Sequence, residues 1–475
     1  MELEAVIGLE IHVEMKTKSK MFSSAPNGFS RTPNSHVALF DTAFPGTMPS
    51  VNKQAVINAI RVASALHMRL DDTLWFDRKN YFYADLPKGY QITQQFRPLG
   101  KDGYVEFLDQ DGTTKRIRIE RLHLEEDTCK QLHLNDYSLL DYNRAGVPLL
   151  EIVSYPEIRN GYQASKYIDC IRKIVVYSLT SDGKMEEGSL RCDVNVSLKE
   201  KGSNHYGTKV EIKNLNSLKN VQIAIDFEIS RQKSLIEEGK IIKQETRRFD
   251  EKTGSTILMR TKSEAADYKY FVEPNILPIH LDKKFVENAI DTCPELYDAK
   301  HARYLSYGLS NVDAEIILSD IALSSYFDKA LNDPSLAKTI AKFIIVELNA
   351  YLNKKNLTID QVKICPKQLE EIALLQKEGY SHQQCANILY YLCDNGGTIV
   401  EAKNALKIEM QTSDDTIILD LVNEVLEKNQ QSILDYKAGK DKAIGFLIGQ
   451  VMKNSKGKAN PSTVARIMKE EINKR

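Results

Sequence analysis

In the stretch VIGLEIHVEMKT, which begins at Val6, Glu10, His12, Glu14 and Lys16 fall on one face of an extended strand and Ile11, Val13 and Met15 on the other. Taken singly, this is also the pattern of a strand with one solvated face. The pattern recurs, however. LRCDVNVSL sets Arg191, Asp193, Asn195 and Ser197 against Leu190, Cys192, Val194 and Val196, and TKVEIKN sets Lys209, Glu211 and Lys213 against Val210 and Ile212. A sheet of several such strands has one apolar side for a core and one side dense in carboxylates, amides and cations, which could line a cleft. Glu151 interrupts the apolar run PLLEIVS, where a buried carboxylate requires a partner. RIRIERLHLEED changes its alternation part-way, because Ile117 and Ile119 share parity with His123 and Glu125; this suggests a bulge or a strand leaving the core. His123 is equally readable as a satisfied structural histidine, and Glu126 with Asp127 as a solvated turn. Together Glu10, His12, Glu125 and Glu151 supply hard oxygens and one imidazole, a set suited to magnesium or manganese carrying a nucleotide phosphate.

A second stretch, RKNYFYADLPKGYQ from Arg78, interleaves Arg78, Lys79 and Lys88 with Tyr81, Phe82, Tyr83 and Tyr90. Such a mixture suits stacking on adenine or on the unpaired end of an RNA, with lysine on phosphate. It equally suits a strand that packs its tyrosines and solvates its cations. KMEEGSL, from Lys184, puts Glu186, Glu187 and Ser189 around Gly188, a position open to a turn or a close backbone approach. GSNHYGTK has the glycine spacing of a phosphate loop but places Thr208 before Lys209, so no Walker A motif supports nucleotide binding. Neither a G-x-S-x-G motif nor a glycine- and serine-rich amidase stretch is present.

The elements that must position these residues change character along the chain. Short alternating or apolar runs broken by Gly, Pro, Asn and Asp predict strands up to about residue 290. Helical spacing appears from Lys53 and from Leu218, and Thr253-Gly254 marks a hairpin. An α+β domain over residues 1–293 accounts for this. After it strands vanish. Asn311 or Asp313 is expected to cap a helix carrying Ile317, Leu318 and Ile321, and Asp333-Pro334 to open another carrying Leu336, Ile340, Phe343 and Ile344. The polar run from Glu409 to Asp415 separates this all-α region, 294–409, from a small all-α tail, 410–475. In the tail, helices from Lys442 and from Pro461 flank a loop containing Lys453, Lys456 and Lys458. From Lys440 to Arg475 nine basic residues stand against three acidic.

With 475 residues, more than one core is expected. The 64 basic and 65 acidic residues nearly cancel, so any nucleic-acid contact must come from local patches such as that loop. Seven cysteines without a C-x-x-C pair argue against a disulfide framework and against a cysteine zinc site, and fit a reducing cytoplasm. The first residues do not resemble a signal peptide, and no apolar stretch reaches membrane-spanning length.

The segments VIGLEIHVE, RKNYFY, LPKGYQIT, LHLEED, PLLEIVS, KMEEGSLRCDVNVSL, EIKNLNS, QETRRFD, DYKYFVEP, AGKDKAIGFLIGQVMK and KGKANP, in this order, resemble the GatB family, the B subunits of the aspartyl/glutamyl-tRNA amidotransferases, over nearly the whole chain. The resemblance implies a cradle-like catalytic domain, a helical domain and a YqeY-like tail that contacts tRNA. It implies that ATP and magnesium activate the side-chain carboxylate of misacylated tRNA(Gln) or tRNA(Asn). Ammonia would then arrive from an amidase, the A subunit, which a small C subunit ties to this one. Carried over by position, it makes His12, Glu125 and Glu151 magnesium ligands with Glu10 in support. Lys79, Tyr81, Glu186, Ser189, Arg191 and Asp193 then line the nucleotide and aminoacyl pocket, with Lys79, Glu125 and Asp193 in catalysis, and Lys453, Lys456 and Lys458 meet tRNA. Many relatives carry four zinc-binding cysteines where this chain has Ser23, Ala25, Ala38 and Asp41, so no zinc is expected. A non-catalytic tRNA-binding adaptor is the competing reading.

Overall fold

The computed structural model describes residues 2–261, 267–408, 415–437, 442–455 and 459–474. The chain divides into two units, residues 1–297 and 298–475. The first is built on a nine-stranded sheet. Numbered along the chain, its strands are β1 (Leu3–Glu14), β2 (Arg69–Leu70), β3 (Gly100–Leu108), β4 (Thr114–Glu126), β5 (Pro148–Ser154), β6 (Leu190–Glu200), β7 (Val210–Lys213), β8 (Glu245–Asp250) and β9 (Ser255–Thr261). Their spatial order is β9-β8-β7-β6-β1-β5-β4-β3-β2, so the first strand of the chain lies in the middle. Its neighbours β5 and β6 both run antiparallel to it, whereas β7 and β8 pair in parallel.

One face of this sheet is covered by α1 (Lys53–Ala65), α2 (Gly161–Tyr177) and α3 (Leu218–Glu237), each started by a side-chain cap, from Asn52, Asn160 and Ser217 respectively. Such a cap satisfies helix N–H groups that have no partner inside the helix. Ile7, Leu9, Ile11 and Val13 of β1 join Ala59 and Val62 of α1, Tyr167 and Ile171 of α2, and Val221 and Ile225 of α3 in one buried cluster. Full burial of an aliphatic side chain is worth about 1.5–3 kcal/mol. The parity of β1 is therefore fixed, and Glu10, His12 and Glu14 must face the other way.

The parity change in RIRIERLHLEED has the cause the sequence suggested. Opposite β5, Ser154 pairs with Ile119 and Val153 with Arg121, so Glu120 is an extra residue at a bulge. Before it Ile117 and Ile119 point into the core; after it Leu122 and Leu124 do, which leaves His123 and Glu125 on the polar face. The hairpin between β8 and β9 turns at Gly254 with φ +63°, a conformation without steric cost for glycine. A smaller sheet sets strand Asp77–Asn80 between Tyr90–Thr93 and Phe271–Val272. In the loops after β1, Lys20 is fully buried and donates to Asp41 Oδ2 at 3.1 Å and to the Tyr142 carbonyl at 3.0 Å.

Every named element in the described part of the second unit is a helix. Asp333 caps the turn Pro334–Leu336 that leads into Ala337–Lys342, as the Asp-Pro pair indicated. The expected helix from Asn311 is present as Asn311–Leu318, but its cap is Ser310, whose Oγ accepts from Asp313 N at 3.1 Å. Ile321 belongs instead to the next helix, Ile321–Ala330, capped by Asp320. A separate core joins Ile418, Val422, Leu426, Leu447, Val451, Val464 and Met468 from the helices Asp415–Lys428, Lys442–Asn454 and Pro461–Lys474.

Candidate active site

Strand register assembles the polar face. Across β4, β5, β1 and β6, directly paired residues read His123, Glu151, His12 and Arg191. One step along the strands, Glu125 lies opposite Leu149, and one step the other way Glu10 lies opposite both Val153 and Asp193. Residues 12, 125 and 151 thus meet because three strands distant in sequence pair at one level.

The resulting cluster is compact. His12 Nε2 is 3.6 Å from Glu151 Oε2 and 3.8 Å from Glu125 Oε1, while His123 Nε2 is 3.0 Å from Glu151 Oε2 and 3.7 Å from Glu125 Oε2. One donor atom from each of His12, Glu125 and Glu151 lies within 4.8 Å of the others. Burial disfavours charge on both imidazoles, yet the carboxylates of Glu151 and Glu125 outweigh it and push His12 and His123 up to about 9. Burial likewise opposes ionisation of Glu151, but His123 and His12 hold its carboxyl well below the usual range. Two carboxylates converging with an imidazole form a donor set that fits a hard divalent cation. His123 Nδ1 is buried without a partner.

Around this cluster the other sequence-derived candidates divide. Glu10 is close to it: burial, then Glu151 and Asp193, raise its carboxyl, and Asn195 Nδ2 donates to it at 3.2 Å. Asp193 is held by Lys213 Nζ at 2.5 Å. Arg191 donates to Asp127 Oδ2 at 2.6 Å, and Glu14, 3.8 Å from the same guanidinium, is pushed up to about 7 by burial and by Asp127. Lys79 faces the cluster from the smaller sheet; burial works against its charge, but Glu125, Tyr270 and Glu151 raise its pKa. Its ammonium lies 5.6 Å from the Tyr81 ring centroid and 4.8 Å from that of Tyr268.

Glu186 and Ser189 are placed differently. Ser189 Oγ accepts from Lys184 N at 2.9 Å and so closes its own turn, and Glu186 is exposed at that turn. No hydrogen bond or ion pair joins either to the cluster among the described residues. Lys453 is exposed at the end of helix Lys442–Asn454, whereas Lys456 and Lys458 lie outside the described residues.

Sequence reasoning left His123 undecided, although its parity with Glu125 beyond the bulge would have placed it. It also allowed Glu126 and Asp127 to be a solvated turn. Both are buried instead: Glu126 accepts from Lys88 Nζ at 2.8 Å and from Ile92 N at 3.1 Å, and Asp127 from Arg191. Tyr268 and Tyr270 were missed as site residues, because nothing local ties them to Lys79. Beyond Glu10 the same face continues into a pocket of about 260 Å³ whose polar lining includes Ser154, Asn195, Ser197 and Lys209.

Comparison with known proteins matches residues 5–287 to the GatB/GatE catalytic domain and residues 325–472 to the GatB domain. Three similar proteins are each named as the B subunit of an aspartyl/glutamyl-tRNA(Asn/Gln) amidotransferase. That of Staphylococcus saprophyticus is 45% identical over 479 residues, covering 100% of both chains. The Staphylococcus carnosus protein is 44% identical with the same coverage, and the Mycoplasma mycoides protein is 44% identical over 474 residues, covering 99% of each.

Proposed function

Because this chain belongs to the GatB/GatE family, we propose that its polar sheet face activates the side-chain carboxylate of glutamyl-tRNA(Gln), aspartyl-tRNA(Asn) or both for amidation. The chain is the acceptor-side component of a ligase that forms a carbon–nitrogen bond with glutamine as amido donor. The convergence of His12, Glu125 and Glu151 on one patch of the polar face carries this reading.

A carboxylate does not react with ammonia until one of its oxygens is made a leaving group. Transfer of the ATP γ-phosphoryl group to that oxygen gives an acyl phosphate and ADP; attack of ammonia at the carbonyl carbon then expels phosphate and leaves the amide. His12, Glu125 and Glu151, supported by Glu10, would hold a divalent cation, which supplies charge to screen the transferred phosphate. Lys79 presents a cation to the oxygens on which charge collects, and Tyr81 flanks the space beside it. Arg191 is anchored by Asp127, and Asp193 by Lys213, so both keep fixed positions beside His12 and Glu10. Glu186 and Ser189 belong to the rim of the nucleotide and aminoacyl pocket. Asp193, with Lys79 and Glu125, is assigned to catalysis.

Ammonia comes from a partner amidase, the A subunit, and a small C subunit makes up the heterotrimer in the cytoplasm. No described helix is long and apolar enough to cross a membrane. Lys453, Lys456 and Lys458 contact tRNA phosphates from the tail. Zinc has no role here: Ser23, Ala25 and Ala38 offer no thiolate or imidazole, and Asp41 is already paired with Lys20. Elemental analysis of the untagged protein checks that.

The decisive experiment follows ATP consumption by the complex with its amidase partner. One ADP per amide, dependent on misacylated tRNA, is expected. Amide formation without ATP, or ATP turnover indifferent to the aminoacyl group, would leave the adaptor reading standing.

A further inference from the structure

Lys79 is held in an unusual way for a lysine that faces buried carboxylates. Strand Asp77–Asn80 sends Arg78 and Lys79 to opposite sides. Arg78 is gripped by Glu273, with Nε at 2.5 Å from Oε2 and an Nη at 3.0 Å from Oε1, and its guanidinium lies 3.9 Å from the Tyr90 ring centroid. Lys79 has no such clamp. Among the described residues no hydrogen bond or ion pair closes on its ammonium, and the groups around it are the rings of Tyr268 at 4.8 Å and Tyr81 at 5.6 Å. Those rings belong to an edge-to-face series: Tyr81 to Tyr268 at 5.8 Å, Tyr268 to Tyr270 at 6.0 Å, and Tyr270 to Phe96 at 6.5 Å.

The backbone brings Tyr268 there across a long stretch of sequence. Phe271 and Val272 pair with Arg78 and Asp77. Asn80 then fixes the next residues twice: its backbone N–H donates to the Tyr268 carbonyl at 2.9 Å and its Nδ2 to the Lys269 carbonyl at 2.7 Å. Lys269 has φ +44°, a left-handed conformation that a non-glycine residue adopts only when its surroundings impose it. Asn80 supplies that constraint, and Tyr268 is delivered against the lysine.

We propose that Tyr268, clamped by Asn80, is a positioning residue that aims the Lys79 ammonium at the acidic cluster while leaving its N–H groups free for a phosphoryl oxygen. A carboxylate in the same place would orient the lysine but occupy its donors and cancel its charge. An aromatic face attracts a cation without neutralising it. The inference rests on the carboxylate-activation reading above, which gives Lys79 a phosphoryl group to meet.

The test uses the full-length chain in complex with its amidase partner and follows ATP-dependent amidation with ATP varied. Tyr268→Phe, which keeps the ring and drops the hydroxyl, is expected to stay within about twofold of wild type, whereas Tyr268→Leu loses roughly tenfold in kcat/KM for ATP. Asn80→Ala, which keeps the ring and releases the clamp, shifts the same parameter in the same direction. In a Lys79→Met background Tyr268→Leu produces no further loss, because there is no cation left to aim. Three results would overturn the assignment: Phe as damaging as Leu, a Leu effect that persists without the lysine, or an unimpaired Lys79→Met complex. A wild-type complex that does not couple ATP to amidation would instead remove the underlying functional reading, and this inference with it.

Discussion

Glu125 and Glu126 are consecutive and almost equally buried, 3% and 1% exposed, yet they lie in two different regions of the molecule. Glu126 points to the rim of the core, where Lys88 and the Ile92 N–H take its two oxygens and Gln91 Nε2 donates to its own carbonyl at 2.7 Å. Glu125 points to the polar face, where the imidazoles approach it no closer than 3.7 Å. Desolvating a carboxylate costs several kcal/mol unless hydrogen bonds or charge offset it. In one region the fold supplies the whole offset; in the other it leaves part of it to whatever binds. The same distinction separates Arg78, locked on Glu273, from Lys79, which rests on aromatic faces. A buried charge with its bonding complete serves the scaffold, and one with bonding left over serves a ligand.

The largest expected effect falls on the incomplete side. Glu125→Gln keeps shape and loses the charge a hard cation requires, so amidation by the complex drops by roughly a thousandfold. Glutamine hydrolysis by the partner persists in some measure, and the variant melts close to wild type. Near-normal amidation by a folded variant would break the contrast. Next comes its neighbour. Glu126→Gln leaves Lys88, itself 7% exposed, without its counter-charge and destabilises the first unit by about 3–5 kcal/mol, read from denaturant midpoints. The double change Lys88→Met with Glu126→Leu should recover most of that loss, because it removes both charges together. Equal stability of Glu126→Gln and wild type would put Glu126 on the ligand side.

Glu14 is an intermediate case, since burial and Asp127 push it up to about 7 while Arg191 lies only 3.8 Å away. An acid whose folded pKa exceeds its usual 4.5 favours the folded state when protonated, so this contribution is present below pH 4.5 and is lost as pH rises toward 7. Glu14→Gln removes the penalty and should stabilise the protein above pH 7 by about 1–3 kcal/mol, with a flatter stability profile between pH 5 and 7. An unchanged profile in urea titrations would show Glu14 already satisfied. The smallest effect belongs to an exposed charge: Lys453→Ala should leave melting unchanged and make the salt dependence of tRNA binding shallower by about one unit of slope. An unaltered slope would take Lys453 out of the interface.

Much of the site was legible in alternation. Parity alone put Glu10, His12, Asp193 and Lys213 on the polar faces of their own strands, and the broken parity of RIRIERLHLEED pointed to a bulge or a strand leaving the core; the bulge is at Glu120 and turns Glu125 onto the shared face. Alternation gives a face but not neighbours. The row His123, Glu151, His12, Arg191 depends on pairings among strands that lie far apart in the chain, so the polar runs could not be shown from sequence to converge. For the same reason Glu126 and Asp127 stayed readable as a solvated turn: their partners, Lys88 and Arg191, lie 38 and 64 residues away. Tyr268 reaches Lys79 through the Asn80 clamp and the pairing of Phe271–Val272 with a strand nearly two hundred residues earlier. The Ser310 cap is a local miss, one position before the expected Asn311, and such boundaries shift easily because several polar residues compete for the role.

The central place of β1 has a consequence for how the chain is made. It leaves the ribosome well before its partners, with Ile7, Leu9, Ile11 and Val13 ready for a core, because β5 and β6 are residues 148–154 and 190–200. At about 5–20 residues per second, roughly 10–40 seconds pass before both edges of that strand can be covered. During that interval an apolar strand with at least one open edge is exposed in the crowded cell, and the long separation between partners makes closure slow as well as late. Nascent chains arrested before residue 190 should therefore depend heavily on chaperones, and those released after residue 261, with all nine strands synthesised, much less.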